Sequence, residues 1–229
     1  RILYCTPTLH NPTTATMSLE RRMAIVAIAR EYGVQIIEDD AYGKLSQSPL
    51  PPLVALASES VYHVAGLSKC LSPALRIAYV VVPDLRASVR LSGAIRAATS
   101  IASPLGAAIA SRWIDTGLAD QVVTAIRAET EARRAIADRL LGPHGLVTAQ
   151  NAFHSWLPLS SPWTRGEFAA RLRQAGIYVV PSDSFAIVHP AEAVRLGLGA
   201  STTRERLTDS LSTILDLLEQ SPAMSSLVV

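Results

Sequence analysis

Val34-Gln35-Ile36-Ile37-Glu38-Asp39-Asp40-Ala41-Tyr42-Gly43 is the stretch that decides the fold. A β-branched apolar run passes without a break into a polar turn, the pattern of a buried strand that ends on reactive side chains. Upstream, Ser18 precedes Leu19-Glu20-Arg21, and Met23, Ile25, Val26, Ile28 and Ala29 recur at helical spacing up to Tyr32-Gly33. A capped helix is expected there. Further upstream, Arg1-Ile2-Leu3-Tyr4-Cys5-Thr6-Pro7 reads as another strand. Strand, helix and strand in this order form a βαβ unit, whose sheet is parallel and whose ligands gather at the carboxyl ends of the strands.

Working outward, Thr6-Pro7-Thr8-Leu9-His10-Asn11-Pro12-Thr13-Thr14 is a turn-rich loop held extended by its X-Pro steps. The pair Arg21-Arg22 is expected as a solvated helix face. Downstream, Val61 to Ala65 and Ile77 to Val82 are two further strands, separated by Gly66-Leu67-Ser68-Lys69-Cys70-Leu71-Ser72-Pro73-Ala74-Leu75-Arg76. Lys69 is one of only two lysines, with Lys44, among 21 Lys+Arg residues. In so arginine-rich a chain, a lysine in this loop points to a need for an amine, which can lose its proton and attack a carbonyl; a guanidinium cannot. A surface lysine near a helix end is the plainer alternative.

Asn11, Asp39, Tyr42 and Lys69 all fall just after strands, so one sheet can bring them to one edge. Each also has an ordinary reading: Asn11 fixes a turn, Asp39 or Asp40 caps the next element, and Tyr42 fills core.

Composition narrows the field. With 229 residues, 49% hydrophobic and 17% charged, the chain can build a packed core. A net charge of +2, with arginines dispersed, argues against a nucleic-acid surface in spite of a pI near 8.7. The two cysteines, Cys5 and Cys70, have no metal-like spacing and are too few for a disulfide framework, so no metal is expected and a cytoplasmic setting is the default. No apolar run reaches membrane-spanning length and no signal peptide opens the chain. The first residues read as mid-strand with no initiator methionine, so the chain is expected to be a piece of something longer.

From Asp84 the pattern is helical through Leu85, Val89, Leu91 and Ile95, again from Leu105 after Ser103-Pro104, and again from about Leu118 to Leu140. Gly142-Pro143-His144-Gly145 breaks it. Beyond, Phe153 to Leu159, Ile177 to Val180 and Ala193 to Leu198 read as strands, with helices opened by Thr164 and Thr203. The expected domains are 1–100 as part of a large α/β domain, 101–143 as connecting helices, 144–220 as a small α+β domain, and 221–229 as a loose tail. In the small domain Arg195 interrupts an apolar strand. A guanidinium there needs an anion, either a structural carboxylate or the carboxylate of a substrate.

Asn11-Pro12, Asp39-Asp40-Ala41-Tyr42, Ser68-Lys69 with Leu71-Ser72-Pro73-Ala74-Leu75-Arg76, and Val194-Arg195-Leu196 together resemble the ordered signature of the class I/II aminotransferases, pyridoxal-phosphate proteins of fold type I. The resemblance covers residues 1 to about 219. It implies the C-terminal half of a large, mostly parallel-sheet cofactor domain followed by a smaller α+β domain. It also implies roles: Lys69 as the Schiff-base lysine and proton shuttle, Asp39 on the pyridine nitrogen, and Asn11 and Tyr42 on the ring 3-oxygen. Arg76 and Ser68 would hold the phosphate, and Arg195 the substrate α-carboxylate. The implied cofactor is pyridoxal 5'-phosphate, the implied substrates an amino acid and a 2-oxo acid, and the implied assembly a homodimer.

Relatives usually place Ser or Thr where this chain has Gly66, and their amino-terminal half supplies the phosphate loop and the aromatic that stacks on the ring. The opening Thr-Pro-x-x-x-Asn-Pro-Thr with Met17-Ser18-Leu19-Glu20-Arg21-Arg22 also resembles the aminotransferase-like domains of MocR-type GntR regulators. There such a domain senses cofactor or an amine and DNA is bound by a winged-helix domain ahead of it.

Overall fold

The computed structural model describes residues 1–220. The chain falls into two compact units: Arg1–His10 with Ala15–Arg127, and Asn11–Thr14 with the residues from Ala128 onward.

The first unit is built on β1 (Ile2–Cys5), α1 (Leu19–Glu31), β2 (Gln35–Asp39), α2 (Leu53–Leu56), β3 (Val61–Gly66) and β4 (Ala78–Val81). The sheet order is β1-β2-β3-β4, with β1, β2 and β3 parallel and β4 antiparallel to β3. The expected βαβ unit is present, and the chain is α/β with a mixed, mainly parallel sheet. The Ser18 Oγ caps α1 by accepting from the Arg21 N–H at 3.2 Å, and Gly33 closes it at φ +59°. Beneath the helix lie Val26, Ala29, Ile36, Leu53, Ala57 and Val61, each worth about 1.5–3 kcal/mol for a full-sized apolar side chain taken from water.

The buried stripe of α1 differs from the sequence expectation. Arg22, Val26 and Ala29 point inward, whereas Met23 and Ile28 are exposed. Arg21–Arg22 is therefore not a solvated pair. Arg22 is 1% exposed and donates to the carbonyls of Met17, Pro51 and Pro7 and to the Thr8 hydroxyl, at 2.9 to 3.3 Å. Loops around α1 bring these carbonyls together, and a guanidinium satisfies several at once, with Pro7 O also accepting from the Met17 N–H at 2.8 Å.

The unit continues with α3 (Leu85–Thr99), α4 (Pro104–Asp115) and the start of α5 (Leu118–Leu141). Asp84 and Ser103 cap α3 and α4. No residue of α3 is buried, and its Leu85, Val89 and Ile95 are exposed.

The second unit carries the rest of α5, then β5 (His154–Pro158), α6 (Arg165–Gln174), β6 (Val180–Pro181), β7 (Ala193–Gly197) and α7 (Arg204–Glu219). Its antiparallel sheet has the order β5-β7-β6. Leu157, Phe168, Leu172, Val194, Leu196 and Leu211 form the core of this unit. Strand β6 begins only at Val180, at the end of the Ile177-to-Val180 run, and Ile177–Val179 instead help to line a cavity of about 230 Å³. The expected tail, 221–229, lies outside the described residues. No helix among the described residues is long and apolar enough to cross a membrane.

Candidate functional site

Alternation along β2 sends Glu38 to one face of the first sheet and Asp39 to the other. On the Asp39 face stands Tyr4 of β1, opposite Ile37 in register and therefore diagonal to Asp39. The Tyr4 hydroxyl donates to Asp39 Oδ2 at 2.5 Å, and this bond, with burial behind it, pushes the phenol's ionisation up. Asp39 Oδ1 accepts no hydrogen bond among the described residues. The next residue, Asp40, returns to the Glu38 face, where its carboxylate packs so tightly into the turn that a Cβ on Gly43 would collide with it. Tyr42 is buried in the same turn.

Lys69 and Arg76 share the loop between β3 and β4. The loop is closed at its neck by the Leu67 N–H donating to the Ile77 carbonyl at 3.0 Å, and anchored by buried Leu67, Cys70, Leu75 and Ile77. A 3-10 turn, Pro73–Leu75, delivers Arg76 in a left-handed conformation at φ +53°. Helix α4 braces that turn, since a Cβ on Gly106 would fall 2.5 Å from the Leu75 carbonyl oxygen. Lys69 and Arg76 are exposed and neither forms an ion pair among the described residues; Ser68, between Leu67 and Lys69, is half-buried. Around Gly66 a Cβ would meet no atom within 4 Å, so a side chain has room there.

In the second unit Arg195 sits on β7 opposite Trp156 and Val180. Its Nη1 donates to Asn11 Oδ1 at 2.9 Å, and its guanidinium lies 5.3 Å over the Phe185 ring. Phe185 in turn meets Trp156 edge-on at 6.3 Å. No carboxylate pairs with Arg195 among the described residues, and its Nε is buried with no hydrogen-bond partner. The structural carboxylate weighed for Arg195 in the sequence is thus not found among the described residues. A guanidinium can only donate, so Asn11 must present its oxygen to Arg195 and its NH₂ remains a free donor.

The first unit thus holds Asp39, Tyr42, Ser68, Lys69 and Arg76, and the second holds Asn11 and Arg195. The donor set matches pyridoxal phosphate group by group: an unpaired amine for an aldehyde, an unpaired guanidinium for a phosphate, and an open carboxylate oxygen for a ring N–H. Reading the sequence alone missed Tyr4, Glu38, His63, Arg22 and Phe185. Arg22 had a signal, since 22, 26 and 29 share one helical face; Tyr4, Glu38 and His63, which stands opposite Glu38 on β3, depend on cross-strand partners that spacing does not reveal, and Phe185 lies in a turn after β6.

A family model described as aminotransferase class I and II matches residues 2–214. The chain is 32% identical over 219 residues to the uncharacterized HTH-type transcriptional regulator YdeF of Bacillus subtilis (strain 168), covering 95% of this chain and 47% of that protein. It is also 32% identical over 195 residues to the HTH-type transcriptional regulator TauR of Rhodobacter capsulatus, covering 81% of this chain and 40% of that one. Among solved structures, LysN, the alpha-aminoadipate aminotransferase of Thermus thermophilus complexed with N-(5'-phosphopyridoxyl)-L-leucine, matches with a TM-score of 0.83 at 23% identity, covering 95% of this chain and 59% of that one. The chain spans less than half the length of the two regulators.

Proposed function

Because this chain belongs to the class I and II aminotransferases, we propose that it binds pyridoxal 5'-phosphate and moves an amino group between an amino acid and a 2-oxo acid. The observation that carries the reading is Lys69, an exposed amine without an ion pair, in a loop whose other end delivers an equally unpaired Arg76. Pyridoxal phosphate, when bound, supplies an electrophilic aldehyde and a ring that accepts an electron pair from the substrate Cα. Lys69 Nζ would be the amine that holds the aldehyde and, when free, would carry a proton to and from the substrate Cα. Asp39, steadied by Tyr4, keeps the ring nitrogen protonated through its open oxygen. Asn11 and Tyr42 hydrogen-bond the ring 3-oxygen, Ser68 and Arg76 bind the phosphate, and Arg195 takes the substrate carboxylate by paired hydrogen bonds.

Borohydride reduction of the gene-length protein with the cofactor tests this reading. A pyridoxyl adduct is expected on the tryptic peptide containing Lys69, and an unchanged mass for that peptide would sink it. The regulators YdeF and TauR favour a second reading, in which the same chemistry serves a cofactor or amine sensor attached to a DNA-binding domain. The coding sequence ahead of Arg1 separates the two: a winged-helix segment supports the sensor, and a start codon within half a domain supports the enzyme. A homodimer is the assembly we favour, supported by the exposed apolar residues of α3, and a cytoplasmic setting is supported by two free thiols. Sedimentation of the gene-length protein checks the first of these.

A further inference from the structure

Behind Asp39, on the opposite face of the sheet, lies a buried charge cluster that the proposed chemistry does not use. Glu38 and His63 stand opposite one another in the β2–β3 register. The Glu38 carboxylate is 1% exposed and accepts from the backbone N–H groups of Leu53 at 2.8 Å and Val54 at 3.1 Å, at the start of α2. It also lies 2.9 Å from His63 Nδ1 and 4.0 Å from Arg22 Nη1. An ionised carboxylate only accepts, so Nδ1 must carry hydrogen. The other ring nitrogen, Nε2, is 3.8 Å from Asp40 Oδ2. A neutral imidazole would turn a lone pair toward that carboxylate, whereas an imidazolium turns an N–H toward it, so both neighbours favour the charged ring.

Asp40 is also tied into the turn. Its carboxylate accepts from the Gly43 backbone N–H and leaves no room for a Cβ there. Asp39 precedes it and Tyr42 stands two residues beyond.

We propose that His63, as an imidazolium bridging Glu38 and Asp40, is a positioning residue that fixes the Asp39-to-Gly43 turn and through it the carboxylate of Asp39 and the phenol of Tyr42. What this positioning achieves rests on the roles proposed above for those two residues; the coupling of ring to turn does not.

The other ionisable groups facing the cluster leave the bridge intact. From α1, Arg22 has its donors committed to carbonyls and to Thr8. From β1, the Cys5 thiol is pushed up to about 11 by burial and by Glu38, and stays neutral. Lys44 and Arg127 line the same cavity of about 370 Å³; Arg127 is bound to the carbonyls of Lys44, Leu45 and Ser46. The hydrogen bond to Glu38 raises the His63 pKa against the opposing effect of burial, and Asp40 adds to the rise. Burial raises the Asp40 carboxyl while His63 lowers it, so a neutral ring would leave Asp40 a buried charge short of its partner.

Proton and nitrogen NMR of the gene-length protein without cofactor provides the test. In the unsubstituted protein, the Gly43 amide is expected to titrate with the same midpoint as the His63 ring. Asp40→Asn should lower the proton affinity of His63 roughly tenfold, a shift of about one pH unit. A Gly43 amide that stays fixed while His63 titrates would overturn the proposal, as would a His63 midpoint unmoved by Asp40→Asn. Cofactor affinity supplies the functional arm: beyond the pH dependence that any amine–aldehyde–phosphate pairing carries, the unsubstituted protein should lose affinity as His63 loses its proton, and His63→Gln should lack that component; identical pH profiles in the two proteins would show that His63 does not set the turn. If the NMR coupling holds but borohydride leaves no adduct on Lys69, the assigned roles of Asp39 and Tyr42 fail and the bridge itself stands.

Discussion

Arg195 and Gly66 are the two residues on which single substitutions say most. Arg195 keeps a buried Nε without a partner and has only the neutral Asn11 oxygen and the Phe185 face beside it. The role proposed for it, holding a ligand carboxylate, would offset the cost of desolvating that guanidinium. Arg195→Lys, which keeps the charge and loses the planar fork, is expected to weaken amino-acid binding tenfold or more while leaving cofactor affinity unchanged. Parallel titrations with amino acid and with pyridoxal phosphate check this, and equal losses would mark Arg195 as structural. Gly66 is the reverse case, a position where something can be added. With open space around its Cβ, Gly66→Ser should fold with stability unchanged to within about 0.5 kcal/mol. If the hydroxyl donates to the phosphate, cofactor affinity rises roughly fivefold, the worth of a hydrogen bond of about 1 kcal/mol. Asp39 and Lys69 were singled out in the sequence because they fall just after strands, Arg195 because it interrupts an apolar strand, and Arg76 by the resemblance of its loop. Tyr4, by contrast, is a plain strand residue until the register sets it diagonal to Asp39.

At the scale of elements, α2 shows what sequence patterns leave out. It is four residues long, too short for any periodicity, and its first N–H groups are satisfied by a carboxylate from another element, Glu38. Glu38→Ala strands those donors and takes from buried Arg22 the carboxylate 4.0 Å away, leaving it only the attraction of Asp40, so a loss of roughly 3–5 kcal/mol is expected in urea unfolding. Glu38→Gln, which keeps the shape, should cost less, about 1–3 kcal/mol. The pH dependence runs in two opposite senses. Burial alone would raise the Glu38 carboxyl, but hydrogen bonds from His63, Leu53 and Val54 outweigh it and the net shift is downward. Its contribution is therefore present above the ordinary glutamate range and lost as pH falls through the depressed value. His63, whose pKa is raised, contributes fully below the ordinary histidine range and loses that contribution as pH rises through its raised value. Stability of this element should thus peak between the two, and Glu38→Gln should remove the acid limb. The longer elements were legible, α1 from its Ser18 cap with helical spacing, α5 from spacing and α7 from its Thr203 cap. The shortening of β6 was not, since where it pairs with β7 is a matter of register that the Ile177-to-Val180 run does not carry.

At the scale of the whole chain, the sequence supported a βαβ start and an α+β finish, and both are present. The assignment of Asn11–Thr14 to the second unit was not legible, because a loop of four residues carries no pattern that tells which contacts it will make. The same scale decides where DNA binding would reside if the protein is a regulator. A net charge of +2 gives this chain little field with which to displace counterions from a phosphate backbone. Its acidic and basic residues nearly balance, and many arginines are committed internally: Arg22 and Arg127 to carbonyls, Arg133 and Arg204 to Glu129, and Arg134 to Glu131 and Asp138. The 229-residue chain is therefore expected to leave duplex DNA unretarded at physiological salt, with no steep dependence of log affinity on log salt. Fluorescence anisotropy with a labelled duplex across a salt series checks this. If a gene-length form binds the duplex with a steep salt slope while this chain does not, the DNA-binding element lies outside these residues and their part is to sense a ligand. If this chain alone shows the slope, its balanced charge has been misjudged and an exposed arginine surface must be sought within it.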